Sequence, residues 1–215
     1  MKKFSAFLVL PLFALAFALN AHSALISVAG PKSSAGTSPL LIMPPPHVLD
    51  DDVTTSSMLG FNENRTITTV SHFMDGGGAI PPGTAVDSHM IFLNSSGRGL
   101  LTHHSVVWTF NAPIIGVMSD KGGLLEDDST FELGNPATIY PAAPFGSRGL
   151  EMLGDPANQD GYEISSDRLS ITVGMKVTQP GDWIRVITHV PIPGAVWLLG
   201  SGLVGLVLLR RRMKA

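Results

Sequence analysis

Residues 168–177 read RLSITVGMKV and alternate without a break. Leu169, Ile171, Val173, Met175 and Val177 fall on one side, and Arg168, Ser170, Thr172, Gly174 and Lys176 on the other. Successive side chains of a strand point to opposite faces, so this period of two predicts a strand with one face buried and one wet. Residues 105–111 repeat the pattern more briefly, with Val106, Trp108 and Phe110 on one face. Trp108 is therefore expected to pack in the core. Beyond the first strand, Pro180-Gly181 suits a type II turn, because proline presets one φ and glycine accepts the positive φ that follows. Residues 183–188 then read as the return strand of a hairpin.

Shorter strand candidates lie at 65–74, 87–93, 114–118, 129–133 and 161–164. Outside the two ends of the chain, no capped apolar stripe of helical period runs for ten residues. Many short strands separated by Gly/Pro turns point to an all-β domain over 61–189, a β-sandwich with jelly-roll topology. Residues 25–60 carry Pro39, Pro44, Pro45 and Pro46 among Ser, Gly and Thr. They read as an irregular segment with one brief edge-strand candidate at 40–43.

The most suggestive loop is GDPANQDG, residues 154–161. Asp155, Asn158 and Asp160 place hard oxygen donors on a tight turn, the chemistry that Ca²⁺ requires. Their spacing is not that of an EF-hand, and Asx with Gly is also what ordinary loops use. The acidic runs at 50–52 and 126–128 read as solvated loops. His72, His89, His103 and His104 lie in or beside predicted strands, without the compact His-x-His and carboxylate set of a cupin-like metal centre. No GxSxG elbow, phosphate loop or dinucleotide fingerprint is present. A glycosidase pair would need two carboxylates brought together from separate strands. Tyr162 and Trp183 both stand beside turns and are the candidates for an exposed aromatic surface that meets sugar rings. These observations mark no catalytic residues and no obligatory cofactor.

Charge is distributed unevenly along the 215 residues. Six of the 14 Lys and Arg lie at the ends (Lys2, Lys3, Arg210, Arg211, Arg212 and Lys214), whereas all 17 Asp and Glu lie between them. The part between carries 8 basic against 17 acidic residues, a net of −9, while the whole chain is −3. Nucleic acids demand a basic footprint, so they are not expected as partners. There is no cysteine, which excludes disulfides, a thiol nucleophile and a thiolate zinc site.

The ends read as targeting segments. Residues 1–24 have a basic start, an apolar stretch from Phe4 to Leu19 and a small-x-small exit at Ala21-His22-Ser23. This is a secretory signal peptide cut after Ser23, with Ala24 as the near alternative. Residues 190–212 read VPIPGAVWLLGSGLVGLVLLRRR. Pro191 and Pro193 exclude a regular helix there, so the helix is expected over 194–209. Those 16 residues span about 24 Å, short for a bilayer crossing unless the lead-in contributes. Trp197 suits the outer interface, and Arg210, Arg211 and Arg212 hold the C-terminal side in the cytoplasm. Ser201 and Gly205 form a small-xxx-small pair that lets another helix approach.

The tail resembles the PEP-CTERM sorting signal, on the strength of Val190, Pro191 and Pro193, the helix core Trp197, Gly200, Ser201, Gly202 and Gly205, and the terminal arginines. Ile192 stands where the named motif has glutamate, so the tail is similar to a VP-x-P variant of it. The resemblance covers about the last 25 residues. It implies an exosortase that cuts near the motif, passage through the Sec translocon and the inner membrane, and a Gram-negative host that makes exopolysaccharide. The expectation is an exported envelope or matrix protein without enzymatic activity. An exported polysaccharide hydrolase and a permanently anchored single-pass protein are the alternatives.

Overall fold

A computed structural model describes residues 23–190, apart from 50, 51, 54, 96, 98, 142–147, 152 and 180. The expected leader before Ser23 and the expected sorting tail from Pro191 onward, with Trp197, the small residues and the arginines, lie outside the described residues. Among the described residues no helix is long and apolar enough to cross a membrane.

The alternation that opens the sequence analysis forms strand β10 (Ser170–Val177), which buries Ile171, Val173, Met175 and Val177. It lies antiparallel between β7 (Leu101–Phe110) and β9 (Gly161–Ile164). With β1 (Leu25–Ala29) on the far side of β7, these make a four-stranded sheet of order β1-β7-β10-β9. A second sheet runs β2 (Leu40–Leu41), β3 (Leu59–Ile67), β6 (Ala85–Leu93), β11 (Asp182–His189), β8 (Ile114–Met118). A separate hairpin joins β4 (His72–Met74) to β5 (Gly78–Ile80). The fold is all-β, with one short helix among the described residues.

Both large sheets feed one core. Val106, Trp108, Ile171 and Val173 from the first sheet pack with Ile91, Leu93, Ile184 and Val186 from the second. Each such side chain contributes about 1.5–3 kcal/mol when fully buried. The opposite face of the second sheet is covered as well. Phe61, Met90, Phe92 and Trp183 pack there with Val48, while Val86, Met118 and Ile187 pack with Met74, Ile80 and Leu133. Central strands β6 and β11 are thus buried on both sides, which is why their sequences lack the clean alternation of β10.

Four expectations are corrected. Residues 183–188 form a strand, but not the return arm of a hairpin with β10: β11 pairs with β6 and β8 in the other sheet. Its nearly continuous burial fits a central position, and Gly181, at φ +108°, helps the chain change sheets. Second, the segment 25–60 is not irregular throughout. Leu25–Ala29 adds an edge strand to β7, Leu40–Leu41 pairs parallel to β3, and β3 itself starts at Leu59. Third, the two large sheets hold four and five strands, in the orders β1-β7-β10-β9 and β2-β3-β6-β11-β8, rather than the eight strands of a jelly roll.

Fourth, residues 129–133 are not a strand but the second half of helix α1 (Leu124–Leu133). Asp120 starts this helix: its Oδ1 accepts the Leu125 N–H at 2.8 Å and its Oδ2 the Leu124 N–H at 3.1 Å. Asp127 in the first turn complements the positive end of the helix dipole, whereas burial raises the Glu126 carboxyl well above the usual carboxylate range. The buried face is Glu126, Ser129, Glu132 and Leu133, too polar to register as an apolar stripe. Glu126 is therefore no solvated loop residue; it is fully buried.

What holds that polar face is Arg185 of β11. Its Nε and Nη2 donate to the two carboxylate oxygens of Glu63 at 2.7 and 2.8 Å, and Nη1 donates to the Glu126 carbonyl and Ser129 Oγ, both at 2.6 Å. One buried guanidinium thereby fastens α1 onto the second sheet.

At the start of the fold, Ser23 is 5% exposed. Its N–H donates to Asp87 Oδ2 at 2.9 Å, and its hydroxyl meets Thr188 Oγ1 at 2.6 Å. Ala24 donates its N–H to Asn111 Oδ1 at 2.6 Å. Both residues at the expected leader junction are hydrogen-bonded to side chains of the folded unit.

Candidate functional site

The loop singled out as a cation site separates into two parts. Asp155 and Asn158 are exposed, and the Asp155 Oδ1 is taken by the Ala157 N–H at 2.9 Å, an ordinary turn. Asp160, by contrast, is buried and faces two carboxylates from elsewhere in the chain. One carboxylate oxygen each from Glu151, Asp160 and Asp182 lie within 4.8 Å of one another. This is the one group of three or more metal-ligating His, Asp or Glu side chains among the described residues.

Each carboxylate is held by a separate piece of backbone. Asp182 opens β11, opposite Leu93 of β6. Asp160 precedes β9, and its Oδ1 accepts the Lys176 N–H of β10. Its loop lies directly on Gly174, where a Cβ would stand 2.3 Å from the Pro156 carbonyl oxygen. Glu151 follows a stretch docked on residues 119–121, with Leu150 N–H donating to the Ser119 carbonyl at 3.2 Å. Gly149 in that stretch has no room for a side chain, since a Cβ would sit 1.5 Å from the Asp120 carbonyl oxygen. The Trp183 N–H donates to the Arg148 carbonyl at 2.8 Å and ties the same stretch to β11.

Three like charges at this separation oppose ionisation. Burial, with Glu151 beside it, pushes the Asp160 carboxyl up to about 6. Burial raises Asp182 well above the usual carboxylate range, the charges of Asp160 and Glu151 add to the effect, and Arg148 offsets part of it.

The proposed aromatic surface does not form. Trp183 is 1% exposed, packed with Phe61, Phe92 and Met90, and the Arg148 guanidinium lies 5.8 Å from its ring centroid. Standing beside a turn did not expose it, because it faces the covered side of a central strand. Tyr162 is half-buried against the main core.

The four histidines are dispersed into separate structural roles. His72 Nε2 pairs with Glu132 at 2.5 Å. His103 accepts the Met58 N–H at Nδ1 and donates from Nε2 to the Pro31 carbonyl, both at 2.9 Å. His104 neighbours Lys176 and the Gln159 backbone. His89 is fully buried between Asn62 Oδ1, 2.7 Å from Nδ1, and Thr188 Oγ1, 2.9 Å from Nε2. The Asn62 oxygen can only accept, so Nδ1 carries the proton and Nε2 accepts from the Thr188 hydroxyl.

Burial pulls the His89 imidazole down to about 3, so the folded state keeps it neutral while the unfolded state titrates near 6.5. The unfolded chain then binds the extra proton between these values, and the stability present above pH 6.5 is lost as pH falls. His89 alone contributes a slope of about 1.4 kcal/mol per pH unit across that window. Thermal melts between pH 7 and pH 5 should show the fall, and His89→Gln should flatten it by about one proton. An unchanged slope in the variant would rule out this role for His89.

No protein-family model matches this chain, and neither a curated protein nor a solved structure matches it.

Proposed function

We propose that this chain is an exported surface or matrix protein: a non-enzymatic β-sandwich carried between a leader and a sorting tail. The leader takes it through the Sec translocon, the tail holds it in the inner membrane, and an exosortase processes it for the envelope or exopolysaccharide layer. The observation that supports this most is one of boundaries. The compact unit Ser23–Val190 nearly coincides with the interval left between the two targeting segments read from sequence. β11 ends at His189, and the Val190-Pro191-Ile192-Pro193 motif starts at the next residue. A proline pair there keeps the peptide extended and poor in backbone hydrogen bonds, as a cutting enzyme needs.

The buried contacts of Ser23 weigh against a leader cut after Ser23, the exit that the small-x-small rule selects. The hydrolase reading gains no support from the carboxylates. Asp160 and Asp182 are buried, whereas a sugar-cleaving pair must flank its substrate.

Fractionation of the expressing host tests the proposal. The protein should leave the inner membrane for the surface or matrix fraction, and Pro191→Ala/Pro193→Ala should retain it as the uncut, membrane-bound form. Parent and variant found alike in the cytoplasm would refute export. Both permanently in the membrane would favour the anchored reading.

A further inference from the structure

We infer that Glu151, Asp160 and Asp182 bind one calcium ion that locks the 148–161 segment against the start of β11. The inference does not depend on the sorting reading. Two independent observations carry it. The first is convergence: two carboxylates of the 148–161 segment and one at the start of β11 meet within 4.8 Å. The second concerns Asp182 by itself. It is 5% exposed, and its Oδ2 is buried without any hydrogen-bond partner. A buried acceptor left unsatisfied is costly, and a cation beside it removes that cost.

The chemistry selects the ion. All three ligands are hard oxygen donors with no imidazole among them, and the chain has no thiol. Such a set suits Ca²⁺, which also takes carbonyl or water oxygens to complete its shell, over zinc or copper. The nearby positive groups are Arg148, which acts on Asp182, and Lys176, which acts on Asp160. Lys176 is exposed and screened by solvent. Once a cation displaces their protons, the three carboxylates and Arg148 carry a net charge of about −2, which a divalent ion neutralises.

The partners also explain why a short-range sequence reading misplaces the site. Residues 151, 160 and 182 are brought together only by the crossing from β10 into β11. Asp155 and Asn158 point to the correct loop, but they are spent on its turn.

The test uses the purified full chain in detergent, with calcium or EDTA, and terbium as a luminescent probe excited through Trp183 beside Asp182. At calcium about 100-fold above its dissociation constant, the melting temperature should rise by roughly 5–10 °C over EDTA. Terbium emission should appear and be quenched by calcium. Asp182→Asn should abolish both responses, and the less buried Glu151→Gln provides the same comparison if the first variant does not fold. An unshifted parent melt without terbium emission overturns the inference. So does a shift that persists in the folded variants, which would place the ion elsewhere.

Discussion

Replacing Arg185 with methionine should destabilise the fold by about 3–5 kcal/mol, lowering the melting temperature by on the order of 10 °C. The arginine is fully buried and satisfies the equally buried Glu63 with two parallel hydrogen bonds. It also donates to the Glu126 carbonyl, Ser129 Oγ and, at 3.1 Å, Thr130 Oγ1 of α1. Methionine fills much of the volume but strands the Glu63 charge out of water. The cost therefore lies in the orphaned partner more than in the lost attraction. Adding Glu63→Leu should return a large part of the stability, because an apolar pair can replace a buried ion pair at little cost. Melts followed by circular dichroism decide the matter. A single variant as stable as the parent would refute the role given to Arg185.

Trp108→Ala should cost a similar 3–5 kcal/mol by opening a cavity between the sheets. The indole is fully buried and its Nε1–H donates to Met58 Sδ at 3.3 Å. On its own sheet Trp108 stands between Val28 of β1 and Ile171 of β10. Trp108→Phe retains most of the ring and should lose clearly less. Denaturant midpoints of the three proteins give the ranking. Equal losses in the two variants would mean that the ring does not fill the core as described.

Trp108 also shows what a linear reading grasps. It shares a face with Val106 and Phe110, and that local alternation suffices to bury it. The same logic gives β10, and the shorter candidates 114–118 and 161–164 coincide with β8 and β9. It fails where a strand is covered on both sides. In β11 the face occupied by Trp183, Arg185 and Ile187 packs under α1 and the segment around Val48, so neighbourhood to a turn says nothing about exposure. Charged residues within that apolar run were the available clue. Arg185 and Asp182 sit in DWIRVITH, and a charge inside a central strand demands a partner. Which partner it takes depends on contacts 122 residues away in the case of Glu63, beyond any local pattern. Helix α1 escaped for a related reason. Its buried face is polar, held by Arg185 at the Glu126 carbonyl and Ser129 Oγ and by His72 at Glu132, so only Asp120 and the acidic first turn announced it.

The central claim, that this fold is cargo for an exosortase, meets its most direct test in mass spectrometry of the mature C-terminus. The host should be compared with and without its exosortase. The account predicts a chain that ends near Val190–Pro193 when the enzyme is present and retains Arg210–Ala215 when it is absent. An intact Arg210–Ala215 end in both strains would contradict it.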